Sequence, residues 1–222
     1  TVSFTYANQQ GGQSFTNTLD TSGSEPISTI TIDSMVSVTL DFGGIGGTVE
    51  TIDDVRVTQT ATLSAANEIG PSTFLADAYD ASFEFVNTFG TPNTSDDEVI
   101  LSGSYGDSGT GGDTPTGALF ILSESGTLTA NDSFTGGELE YELGSSLLDL
   151  IGDAGLAQGD NADAAWTLTN IDPGIERSSE GFFTGFVADS AFTGSFNVVP
   201  SPGSMALASI AGVFLVRTRN RR

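Results

Sequence analysis

Ile27-Ser-Thr-Ile30-Thr-Ile32-Asp-Ser-Met35-Val36-Ser-Val38-Thr-Leu40-Asp-Phe42 is the stretch that decides how this chain folds. Ile30 and Ile32, then Val36, Val38 and Leu40, alternate with Ser, Thr and Asp. An extended chain with that pattern carries its apolar side chains on one face and its polar ones on the other. Met35 beside Val36 breaks the phase, which predicts a bulge or a division into two strands at that point. Gly43-Gly-Ile-Gly-Gly47 then ends the run as a turn-rich break.

The same texture extends in both directions. Val2-Ser-Phe-Thr-Tyr6 and residues 15–19 read as strands ahead of it. After it come Val55, Val57 and residues 59–63, then Phe83, Phe85 and Phe89. The apolar runs 99–101 and 118–122, and residues 128–134 and 139–143, continue the series. Trp166, Leu168 and Asn170 form a later strand, and residues 182–187 and 192–198 read as a closing hairpin around Ala188-Asp189-Ser190. Residues 64–80 are ambiguous and leave room for one helical turn, while 102–117 and 155–163 read as loops. Ser146-Leu-Leu-Asp-Leu-Ile151 is the best helix of the body, capped by Ser145 or Ser146. The expected fold is all-β, a β-sandwich or jelly-roll-like body over residues 1–198. A Pro/Gly linker (199–204) and a short C-terminal helix with an Arg-rich end (205–222) follow.

Composition removes whole classes of chemistry. The chain has no Cys, no His and no Lys, and all six of its basic residues are Arg. Zinc fingers, Fe–S and haem ligation, disulfide staples and Ser–His or Cys–His catalysis therefore lack their residues. Ahead of the tail, 29 acids face only Arg56 and Arg177, a net charge of −27. Such a surface repels nucleic acid and anionic lipid, and no nucleic-acid partner is expected. The chain opens on Thr1 with no initiator Met, for which a removed secretory leader or trimming accounts.

The texture changes at Val199-Pro200-Ser201-Pro202-Gly203-Ser204. The uncharged run 205–216 follows, and then Arg217-Thr-Arg219-Asn-Arg221-Arg222. The apolar run is shorter than the roughly 20 residues that a spanning helix needs, and its length suits a signal or interfacial segment. Terminal arginines would stay on the cytoplasmic side. This three-part tail resembles the PEP-CTERM sorting signal of exported bacterial proteins, with Pro200-Ser201-Pro202 standing where that family has Pro-Glu-Pro. The resemblance implies that Pro200, Pro202, Arg217, Arg219, Arg221 and Arg222 form a sorting signal. It implies export, an exosortase-type processing enzyme as partner, transient membrane contact through the tail, and delivery to the cell surface or an extracellular polysaccharide matrix. A last core helix is the bland alternative for the segment.

Ca²⁺ is the one cofactor the sequence offers, because hard oxygens are plentiful. Asp53-Asp54 and Asp96-Asp97-Glu98 are the densest acid groups, and Asp107 with Asp113 sits in a Gly-rich stretch. Gly159-Asp-Asn-Ala-Asp163 is a further candidate without EF-hand spacing. Solvated loop acids are the plainer reading of each. Trp166, Tyr6, Tyr79, Tyr105 and Tyr141 could stack on sugars, although a single Trp usually belongs to a core, and Tyr105 is expected to be exposed. Asn93-Thr-Ser and Asn131-Asp-Ser fit the N-glycosylation triplet as coincidences. The functional expectation is a non-enzymatic, exported surface or matrix protein, such as a subunit of an extracellular fibre or layer. Such a protein would work by self-association, with edge strands or residues 2–6 pairing with a neighbour, or by contact with matrix polysaccharide. A Ca²⁺-assisted carbohydrate-binding module is the alternative, and a glycosidase or lyase using two carboxylates comes third.

Overall fold

A computed structural model describes residues 1–7, 14–43, 49–105, 117–122, 125–131, 139–153 and 156–201. The predicted C-terminal helix and the arginine end fall outside the described residues.

The described chain is all-β, with twelve strands and one helix. In order these are β1 (Val2–Tyr6), β2 (Phe15–Asp20), β3 (Ile27–Asp41), β4 (Val49–Leu63), β5 (Asn67–Gly70), β6 (Thr73–Asn87), β7 (Glu98–Tyr105), β8 (Gly117–Leu122), β9 (Ser125–Asn131) and β10 (Glu140–Leu143). The helix α1 (Ser145–Asp153), β11 (Leu156–Asp172) and β12 (Phe186–Pro200) complete the series. All twelve strands belong to one antiparallel sheet. Its pairings run β3–β4–β6–β8–β9–β11–β12–β2 and return to β3, so the sheet rolls over and closes on itself. Opposite walls then face each other across a shared core, as the two layers of a sandwich would. Strand β1 continues the seat of β2 along the same seam, with Phe4 opposite Leu40 of β3 on one side and Gly194 of β12 on the other. Along β6, β7 continues beyond β8, and β10 lies outside β7. There the wall is joined to β11 by side chains: the Tyr141 hydroxyl donates to the Asp163 carbonyl, and Gln158 Nε2 donates to the Tyr141 carbonyl.

Aromatic rings fill the described interior. Phe4, Phe83, Phe85, Trp166 and Phe192 reach it from four different strands. Ring centroids lie 4.7 Å apart for Trp166–Phe192, 5.2 Å for Phe85–Phe192 and 5.5 Å for Phe83–Trp166. Aromatic pairs at such spacings add about 0.5–1.5 kcal/mol each beyond the area they bury. Between Phe4, Phe85, Ile100 and Leu147 only about 10 Å³ stays empty, room for at most one water. Gly194 is required by this packing, since a Cβ there would lie 2.7 Å from the Phe4 ring and 2.8 Å from that of Phe192.

Several sequence expectations change. Strand β3 keeps one phase from Ser28 to Leu40, with Met35 pointing outward and 47 % exposed. The bulge lies across from it on β4. Val36 pairs with Val55 and Val38 with Ile52, so Asp53 and Asp54 together oppose Ser37. The expected hairpin over 182–198 is instead the single strand β12 from Phe186 onward. Phe186, Ala188, Ser190, Phe192 and Phe196 stay buried in one period-two series. Ser190 looks like turn chemistry but sits in the core, 2.8 Å from the Ser14 hydroxyl and 3.3 Å from that of Tyr6. Residues 64–80 hold β5 and the start of β6 and no helical turn. Residues 156–163 of the expected loop at 155–163 are the start of β11, where residues 159–161 oppose only Asn197 and form a second bulge. Residues 102–105, expected in a loop, belong to β7, whereas Phe89, expected in a strand, lies beyond β6 in the left-handed region (φ 51°). The best predicted helix forms as α1, burying Leu147 and Ile151.

Candidate functional site

The outer face of β4, β6, β7 and β10 carries a grid of hydroxyls and carboxylates. Strand alternation sends Val57, Gln59, Phe83, Phe85 and Leu101 inward, so Thr58 and Thr60 of β4 and Ser82 and Glu84 of β6 point outward. Register then aligns them in rows. Thr58 stands beside Glu84, Glu84 beside Ser102, and Ser102 beside Glu142 of β10. In the next row Thr60 stands beside Ser82, which stands beside Ser104. The Thr60 and Ser82 hydroxyls lie 3.3 Å apart. These residues line an open groove of about 500 Å³. Glu84 and Glu142 are separated by β7, which puts their attachment points about 10 Å apart at the usual strand spacing. One row beyond Thr58, Arg56 directs its Nε and an Nη to Asp33 at 2.9 and 2.7 Å and so faces away from the groove chemistry.

Beneath the groove the wall is polar on its inner side as well. Gln59 donates through Nε2 to the Tyr105 hydroxyl at 2.6 Å, while its Oε1 is buried without a partner. Burial pushes the Tyr105 phenol well above the ordinary range, against the opposing effect of that hydrogen bond. Tyr6, buried on the seam, is pushed up to about 12 by burial, with its Ser190 hydrogen bond acting the other way.

The described acids among those singled out in the sequence are engaged locally. Asp53 and Asp54 form the β4 bulge, where Asp53 accepts from the Ser37 hydroxyl at 2.6 Å and Asp54 adopts φ 58°. Asp96 accepts from Thr91 Oγ1 at 3.3 Å within its own loop. Asp97 buries Oδ1 without a hydrogen-bond partner. Glu98 accepts from the Ser146 hydroxyl and backbone N–H, capping α1 from β7. Among the described residues no three acids come together as a group that could hold a metal ion. Asp163 accepts from the Ser195 hydroxyl at 2.8 Å. Asp107, Asp113, Pro202, Arg217, Arg219, Arg221 and Arg222 lie outside the described residues, and Pro200 ends β12 opposite Leu156.

Known proteins add nothing to this geometry. Comparison with protein families, with curated proteins and with solved structures finds no match.

The aromatic residues considered as sugar platforms are not surfaces. Trp166, Tyr6, Tyr105 and Tyr141 are all buried, and Tyr79 is half-buried. Tyr105 corrects the expectation of an exposed ring, because β7 runs through to it and turns its side chain inward against Phe83 and Trp166. The expectation that residues 2–6 offer a free edge is also corrected, since β1 is paired on both sides. The groove itself was missed. Its signal was present as the polar alternate positions of four strands, but which strands are neighbours depends on pairings between distant parts of the chain.

Proposed function

We propose that this chain is a non-enzymatic, exported protein of the cell surface or extracellular matrix, sorted through its C-terminal tail and working through the outer face of its body. The observation that carries the reading is where polar chemistry gathers: among the described residues aromatic rings fill the closed sheet, and the groove of hydroxyls and carboxylates lies on its outer face. The charge pattern supports it, with 29 acids on the body and four arginines gathered behind a short apolar run.

Among the described residues, self-association by strand addition has short outer edges to use, such as β5, which pairs with β6 alone. Contact of the outer face with matrix material is therefore favoured over a strand-swapped fibre.

Mass spectrometry of the protein recovered from the surface fraction of its own cells tests the reading. A mature C terminus near Pro202 is expected. A cytosolic protein retaining Arg217–Arg222 would overturn it.

A further inference from the structure

We propose that the groove across β4, β6, β7 and β10 binds a neutral, polyhydroxylated chain, a segment of linear oligosaccharide, without a metal ion. The proposal rests on the surface-protein reading only for where such a ligand would be met; the recognition itself follows from the groove.

Its lining has the donor and acceptor inventory that a chain of hydroxyls needs. Thr58, Ser102 and Ser104 each offer one donor and two acceptors, Thr60 and Ser82 bond each other and keep one donor between them, and Glu84 and Glu142 offer acceptors alone. A sugar hydroxyl can donate to the carboxylates and both give to and accept from the others. An anionic ligand meets two carboxylates with no cation lining the groove, on a body of net charge −27. A divalent cation finds only Glu84 and Glu142 as carboxylates in this lining, and no group of three acids that could hold a metal occurs among the described residues. The groove volume, about 500 Å³, lies in the range of small-ligand sites. The Phe83 ring beneath it is buried, so hydrogen bonds replace ring stacking, and affinity must come from repeated contacts along an extended ligand. The two rows, Thr58–Glu84–Ser102–Glu142 and Thr60–Ser82–Ser104, supply that repetition across adjacent strands.

Isothermal titration of the whole chain in EDTA tests this with hexamers of β-1,4-glucan, β-1,4-mannan and xylan, with a polygalacturonate hexamer and spermine beside them. The expected result is binding of at least one neutral hexamer and of neither charged probe. Ser104→Trp, which fills the groove from an exposed position, should abolish that binding with thermal stability kept. Glu84→Gln should weaken it at least about tenfold, the loss expected for a hydrogen bond to a charged group. Thr94→Trp, in an exposed loop away from the groove, should leave it unchanged. Failure of every neutral hexamer, equal binding by Ser104→Trp, a requirement for Ca²⁺, or binding of spermine alone would each overturn the site. None of those outcomes touches the surface reading, which is decided separately by where the mature chain ends.

Discussion

Two buried phenols and two arginines show how differently single side chains of one type can behave. Tyr6 and Tyr105 are held neutral by burial, Tyr6 up to about 12 against an ordinary 10. Their folded-state pKa values lie above the unfolded one, so their contribution is whole below pH 10. It is lost as the pH rises toward 12, where the unfolded chain releases protons that the folded one keeps. Thermal stability should fall steeply over that window, and the phenolate absorbance owed to Tyr6 and Tyr105 should rise with unfolding and not before it. Tyr6→Phe should flatten the decline. A native chain that titrates all four tyrosines near pH 10 would contradict the buried network. Arg56 and Arg177 differ in the same way. Arg56 pairs with Asp33 in a half-exposed contact, and Arg56→Met should change stability by less than about 0.5 kcal/mol. Arg177 bonds Glu68 at 3.0 Å, donates to the Ala66 carbonyl at 3.1 Å and sits 4.6 Å over the Phe74 ring. Arg177→Met should therefore cost about 1–2 kcal/mol, read as a fall of roughly 2–8 °C in Tm. Equal effects from the two substitutions would show that the Phe74 and Ala66 contacts add nothing.

Helix α1 depends on one glycine. Gly144 donates its N–H to the Ile100 carbonyl at 2.8 Å, and a Cβ there would lie 1.7 Å from the Val99 carbonyl oxygen. Gly144→Ala must push the helix off β7 and should cost about 3 kcal/mol or more, with loss of the Glu98 cap. Gly152→Ala, on the same helix with open space around it, is the control and should be neutral or better. Chemical denaturation of both variants gives the comparison. Elements also mark how far the sequence could be read. The strands at 2–6, 15–20, 27–41 and 139–143 and the helix at 145–153 were legible because alternation and capping are local signals. Three other features depend on what lies opposite. Asp53-Asp54 reads as a metal site until Ser37 is seen across from it. Ser190 reads as a turn until Tyr6 and Ser14 are seen around its hydroxyl. Residues 159–161 read as a loop until Asn197 is found as their single counterpart. The groove belongs with these, since Ser82, Ser104 and Glu142 become neighbours only through long-range register.

At the scale of the molecule the acids repel one another. With 29 of them against two arginines on the body, the folded state is compressed charge, and salt should relieve it. Raising NaCl from about 0.01 M to 1 M shortens the screening length from about 30 Å to about 3 Å and should raise Tm monotonically. A flat or falling Tm over that range would mean that ion pairs such as Arg56–Asp33 and Arg177–Glu68 outweigh the repulsion. The rolled sheet has a further consequence for the order of events. Val2–Tyr6 finds its place between Thr39–Asp41 and Phe192–Phe196, so residues 2–6 wait for residues 192–196 to be made. A body read out from one end cannot lock shut while any of it is still being made. A chain clipped short of Phe192 is left as an unlatched sheet, its first strand held from the β3 side alone.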